Sequence, residues 1–297
     1  VVMSDKVIIT AALTGAVTPK EKNSSIPLTP EEIAEDAYAC WKAGAAIVHL
    51  HMRNDEGIGC MDAEKFAETI RLIRAKKDCD VVINCTSSGD NTGTATNETR
   101  MLHMKTLNGI EIGSYDAGSF NWMPGGVFEN SPEFLKNLGN VYIQRGIKPE
   151  VEIFDVGMLG VANYFIEKGN LLKPVHYQFC LGVLGGMPAT VENLVYLVNH
   201  IPADATWSAM GIGRNHLPIM YAALALGGNI RVGLEDNVYY SKGVPATNVQ
   251  LVERAVKAVE NFGKRPATSA EAREMLWISP LKREADTRIA DEASGAA

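Results

Sequence analysis

An α/β fold of the (β/α)8 (TIM) barrel type with a short C-terminal helical extension is predicted by three observations. Short β-branched apolar runs alternate with helical patterns eight times along the chain. The helical stretches open on Ser or Thr caps followed by proline or acidic residues. The length of 297 residues and hydrophobic content of 46% suit one large core of that type. A doubly wound open sheet is the alternative arrangement of the same units.

Strands are expected near residues 7–13, 46–51, 81–86, 110–115, 150–154, 175–181, 206–211 and 230–234, each an apolar run bounded by turn formers. Thr29-Pro30-Glu31-Glu32 combines an N-cap, a proline in the first turn and a capping-box glutamate, so a helix starts there. Gly44 closes it. Ser131-Pro132-Glu133 repeats the cap and proline. Thr247 with Gln250 opens a helix whose residues Leu251, Val252, Ala255, Val256 and Val259 fall at helical spacing. Thr268-Ser269-Ala270-Glu271 starts a last helix running to about Ile278, and Pro280 ends it. Residues 1–280 are read as one catalytic domain. Residues 281–297, charged or small, form a polar tail expected to pack on a neighbour or stay mobile.

Net charge of −7 argues against a general nucleic-acid surface. Five scattered cysteines (Cys40, Cys60, Cys79, Cys85, Cys180) form no CxxC pair, which points to reduced thiols in the cytoplasm. The first residues read as a lead into a strand rather than a signal peptide, and no apolar run approaches membrane-spanning length.

Barrels of this type carry their active sites at the carboxyl ends of the strands. The second strand delivers His49 and His51, whose i, i+2 spacing puts both imidazoles on one face. Together they can hold one divalent metal, zinc above all; two separately hydrogen-bonded histidines are the alternative. The third strand delivers Thr86, Ser87 and Ser88, the fourth Ser114 and Asp116, and the fifth Glu152. The eighth delivers Arg231, then Glu235 and Asp236. Glu235 is the candidate third ligand; a carboxylate at the start of the following helix or loop is the alternative. A buried guanidinium needs a partner, so Arg231 is expected to pair with Glu152, Asp236 or both, and the pairing sets whether Asp236 can act as a base; a purely structural buried ion pair is the alternative. Gly211-Ile212-Gly213-Arg214, after the seventh strand, is either a phosphate cradle for a cofactor or a tight turn.

The segments Ile9-Thr-Ala-Ala-Leu-Thr-Gly-Ala16, Leu28-Thr-Pro-Glu-Glu32, Val48-His-Leu-His-Met-Arg53, Val183-Leu-Gly-Gly-Met187, Gly211-Ile-Gly-Arg214 and Ile230-Arg-Val-Gly-Leu-Glu-Asp-Asn237 resemble, in the same order, those of the β-keto acid cleavage enzymes. The type member cleaves 3-keto-5-aminohexanoate. The resemblance spans about residues 7 to 278. It implies a zinc-dependent (β/α)8 barrel, usually a homotetramer, that converts a β-keto acid and acetyl-CoA to acetoacetate and a new acyl-CoA. It implies His49, His51 and Glu235 as zinc ligands. Arg231, Asp236 and Glu152 match the family's base and its charged support, and Thr86 and Ser114 match positions where the family carries hydroxyls. Members acting on the amino-substituted acid carry a glutamate just after Thr-Gly-Ala. Here that position is Val17, which cannot neutralise a buried cation. Val17, Ser87 and Asp116 are the expected substrate contacts, and a neutral or apolar tail is the expected substrate feature.

A zinc hydrolase of the amidohydrolase type also places HxH on a barrel strand, but such sites recruit later histidines, whereas His176 begins its strand and His103, His200 and His216 fall in helices or helix starts. A barrel retained for binding or regulation would be expected to have lost one of His49, His51, Glu235, Arg231 or Asp236.

Overall fold

The computed structural model describes residues 4–90, 93–283 and 287–288. Eight strands, β1 (Ile9–Ala12), β2 (Ile47–Leu50), β3 (Val82–Cys85), β4 (Ile112–Asp116), β5 (Lys148–Ile153), β6 (His176–Leu181), β7 (Thr206–Gly211) and β8 (Asn229–Val232), form a closed barrel in chain order. Every neighbouring pair is parallel. Each strand is followed by a helix: α1 (Pro30–Ala43), α2 (Ala63–Ala75), α3 (Asn97–Thr106), α4 (Pro132–Arg145), α5 (Gly157–Glu167), α6 (Val191–Asn199), α7 (His216–Ala225) and α8 (Asn248–Asn261). This is the (β/α)8 barrel, with α9 (Ser269–Met275) as the extension.

The caps act where their chemistry places them. Thr29 and Glu32 close a reciprocal capping box on α1, as Thr247 and Gln250 do on α8 and Thr268 and Glu271 on α9. The Ser131 hydroxyl accepts from the Phe134 amide at the start of α4. The final helix stops at Met275, short of the expected Ile278. It plugs the amino end of the barrel: Ala272 and Leu276 pack on Ile8, Ile47, Val82 and Ile112, and the Ser269 hydroxyl donates to the Ala46 carbonyl at 2.9 Å.

The first expected strand is split. Lys6–Val7 pairs with Arg265–Pro266 beneath the barrel, and the amide of Ile8 between the two segments donates to the Asn229 side chain at 2.8 Å. Of the tail, Arg283 donates to the carbonyls of Arg74, Lys77 and Cys79, and the Thr287 carbonyl accepts from the Asn108 amide. The expectation for residues 284–286 and 289–297 lies outside the described residues. Among the described residues no helix is long and apolar enough to cross a membrane.

Asn248, the first residue of α8, ties three elements together. Its amide donates to the Leu13 carbonyl and to Asp36 of α1, and its oxygen accepts from the Leu234 amide. Burial lifts the Asp36 carboxyl from its ordinary 3.8 to about 6, against the opposing Asn248 hydrogen bond. A carboxyl that binds its proton more tightly when folded contributes stability below pH 3.8 that is lost as pH rises to 6. Asp36→Asn is therefore expected to stabilise the protein by about 1–2 kcal/mol at pH 7, and by far less near pH 4. Urea unfolding at the two pH values measures this; an equal effect at both would refute it.

Candidate active site

At the carboxyl end of the barrel a cavity of about 780 Å³ opens, large enough for two small reactants. The β-branched strand Ile47–Leu50 projects His49 inward, and His51 lies just past its end; both are buried. His49 Nε2 is 3.6 Å and His51 Nε2 3.4 Å from Glu235 Oε1. Burial, above all, lowers the His49 pKa to about 3, so its ring is neutral and keeps a lone pair.

Glu235 arrives by a different route from the one its spacing predicts. Strand β8 ends at Val232, and Gly233, at φ +143°, lets the chain turn; a Cβ there would fall 2.0 Å from the Ala12 carbonyl oxygen. The turn folds both acids back onto Arg231. Its Nε and Nη2 donate to Asp236 Oδ2 and Oδ1 at 2.9 and 3.0 Å, a bidentate pair. Nη2 also donates to Glu235 Oε1 at 2.5 Å. Arg231 thus pairs with the two acids of its own turn, and Glu152 acts on it only through space. Burial would raise the Glu235 carboxyl, but His51, Arg231 and His49 outweigh it and hold the group well below the usual range. For Asp236 burial prevails over Arg231 and lifts the pKa to about 6. The Gly213 amide, from the turn after β7, donates to the Asp236 carbonyl and steadies the turn.

Opposite stand Asp116 and Glu152, in register on β4 and β5. Burial, then the charge of Glu152, pushes the Asp116 carboxyl well up. Thr86 and Ser88 share a hydroxyl–hydroxyl hydrogen bond of 2.9 Å at the cavity wall. Val17 lines the mouth, 58% exposed.

Other expected site residues lie elsewhere. Ser87 is buried outside the cavity lining, its hydroxyl donating to the Ser114 carbonyl. Ser114 lies one layer deeper than Asp116, level with Glu150, and also stays out of the lining. Of the loop after β7, Ile212 reaches the cavity, whereas Gly211, Gly213 and Arg214 do not line it.

Several residues that shape the site were not anticipated. Arg53 is buried and donates to the carbonyls of Thr14, Gly15, Gly57 and Thr18, pinning the loop that carries Val17. Its place at i+4 from His49 on an inward-facing period was the available signal. Gly15, at φ +63°, lets that loop pass Glu235; a Cβ would meet Glu235 Cγ at 2.7 Å. A hairpin of Phe120–Trp122 and Gly126–Phe128 walls one side, held by stacking of Phe120 on Phe154 at 5.0 Å.

Residues 6–278 match the beta-keto acid cleavage enzyme family. The chain is 41% identical to the 3-keto-5-aminohexanoate cleavage enzyme of Fusobacterium nucleatum subsp. nucleatum over 93% of its length and 99% of that protein. It is 38% identical to the 3-dehydrocarnitine:acetyl-CoA trimethylamine transferase of Rhizobium meliloti, covering 93% and 98% of the two chains. The apo structure of ObcA shares the barrel, with a TM-score of 0.76 at 21% identity over 86% of this chain and 66% of that one. By the extent of these matches, the chain belongs to the beta-keto acid cleavage enzyme family.

Proposed function

We propose that this chain is a zinc-dependent β-keto acid cleavage enzyme, converting a β-keto acid and acetyl-CoA to acetoacetate and the acyl-CoA of the remaining fragment. The observation that carries this is the meeting of His49, His51 and Glu235 beside an Arg231-held Asp236 in one cavity. The donor set fits the metal. Ligands 2.0–2.1 Å from a tetrahedral zinc lie about 3.4 Å apart, close to the 3.4 and 3.6 Å found here. Glu235 Oε2 is buried without a hydrogen-bond partner. Three protein ligands leave a position open for substrate.

Zinc bound there would supply Lewis-acid polarisation of the substrate's carboxylate and 3-keto oxygens. Asp236 takes a proton from C2, and Arg231 keeps that carboxylate ionised and aimed. The C2 carbanion bonds to the acetyl carbonyl carbon and expels coenzyme A thiolate. Thr86 and Ser88, on the cavity wall, are the hydroxyl donors for the oxyanion of that step. The thiolate then adds to the original C3 carbonyl. The C2–C3 bond breaks, and C2 keeps the electron pair and recovers its proton from Asp236. Glu152 and Asp116 supply the carboxyl wall opposite. Arg214, exposed in the turn after β7, is assigned to the coenzyme A phosphates.

The substrate tail is neutral or apolar. Val17, Met123, Val127 and Leu184 stand exposed around the mouth, and Arg231, already paired with two acids, is the sole Lys or Arg among the described residues lining the cavity. The assembly is a cytoplasmic homotetramer. The five free thiols support the compartment, and the apolar sequence of α7, with Tyr221 and Leu226 exposed, supports a subunit contact. Light scattering should return four times the 32.1 kDa chain mass.

A panel of β-keto acids incubated with acetyl-CoA, following acetoacetate by mass, tests the reaction. A neutral-chain acid should be cleaved fastest, and nothing should turn over without acetyl-CoA. Turnover without it would identify a hydrolase instead; a preference for 3-keto-5-aminohexanoate over every neutral analogue would refute the reading of Val17.

A further inference from the structure

Below the proposed zinc ligands the barrel interior holds polar groups that the reaction does not use. His49 faces Glu235 through Nε2, while its Nδ1 is buried with no hydrogen-bond partner. Its in-register neighbour on β3 is Asn84, fully buried. The Asn84 amide nitrogen donates to Glu150 Oε1 at 2.8 Å, and that bond fixes which way the amide points. The amide oxygen Oδ1 is left buried and without a partner. An orphan donor and an orphan acceptor thus sit on adjacent strands at the same level. Each is unfavourable while buried and unpaired, and pairing them satisfies both.

We infer that Asn84, oriented by Glu150, is a positioning residue for the metal site: its Oδ1 accepts from His49 Nδ1–H, which leaves the Nε2 lone pair directed at the cation. A ligating imidazole whose other nitrogen is held in this way has a fixed tautomer and ring plane, and losing such a partner typically weakens metal binding 10- to 100-fold. Glu150 is suited to the orienting role because it is fully buried. Its nearest cationic candidate, His176 at 3.7 Å, is pushed by burial to a pKa of about 3 and is neutral. The inference rests on the zinc reading above but concerns different atoms.

Zinc affinity, measured by competition with a chromophoric chelator, should fall 10- to 100-fold in Asn84→Leu. It should stay within about tenfold of wild type in Asn84→Asp, whose carboxyl can still accept from His49 and donate its proton to Glu150. The melting temperature of each metal-free variant separates a loss of ligand geometry from a loss of fold. In the unsubstituted protein, 15N-histidine NMR should find the His49 proton on Nδ1, with or without zinc, assigned by comparison with His49→Ala. An Asn84→Leu protein that binds zinc within threefold of wild type overturns the inference, and so does a His49 proton on Nε2. A wild-type protein that binds no zinc while keeping its proton on Nδ1 would instead overturn the metal reading and leave the tautomer assignment standing.

Discussion

His49→Ala is expected to lose zinc and catalysis together. Zinc content should drop from about one per chain to a small fraction, and kcat/KM should fall on the order of a thousandfold, the equivalent of several kcal/mol of Lewis-acid stabilisation. The imidazole supplies one of only three ligand atoms, and a methyl group offers none. Two ligands remain, and Glu235 is then left to Arg231 and His51 alone. Removing a buried ring also leaves a void, so the metal-free variant should lose roughly 1–3 kcal/mol of stability; unfolding curves recorded without metal isolate that part. Chelation of the wild type should reproduce the loss of activity, and added zinc should restore it in the wild type but not in the variant. A metal-free His49→Ala protein that still cleaves a β-keto acid would sink the assignment.

How much of this was legible in the sequence depends on the kind of signal. Strand and helix alternation is a local property of side-chain period and caps, so the barrel could be read from residues such as Thr29, Ser131 and Thr247. The His49–His51 pair was legible for the same reason, because a strand's period of two is rigid. Geometry that depends on backbone breaks was not. The eighth strand is expected to run to residue 234, four residues carrying the chain from Arg231 to Glu235, but it ends at Val232, and the turn at Gly233 brings Glu235 and Asp236 onto the same guanidinium. Of the two acids expected beside Arg231, Asp236 makes the pair and Glu152 does not. Among the expected hydroxyls Thr86 reaches the cavity, whereas Ser114 sits level with Glu150, below the rim, because β4 runs on to Asp116. Asn84 and Glu150 lie within ordinary strand stretches, and only the register between strands shows that they meet. The hairpin that walls the cavity depends on the contact of Phe120 with Phe154, residues far apart in the chain.

Asp236→Asn should separate the proton-transfer role from the metal. Asparagine keeps the shape and can still accept from Arg231, and the three zinc ligands are untouched, so zinc should remain at about one per chain. The turnover number should fall on the order of 10²–10⁴-fold, the usual cost of losing a general base. The decisive measurement needs no acetyl-CoA: wild-type protein in D₂O should exchange the C2 hydrogens of a β-keto acid, and Asp236→Asn should not, beyond the rate in buffer. Arg231→Met makes a poor substitute for this test. It would strand Asp236 and Glu235 as buried carboxylates without their counter-charge, costing about 3–5 kcal/mol and confusing stability with chemistry. If Asp236→Asn exchanges C2 deuterium as fast as wild type, the base lies elsewhere. The next carboxylate to test is then Glu152, across the cavity, where Asp116 is the partner pushed toward its protonated form.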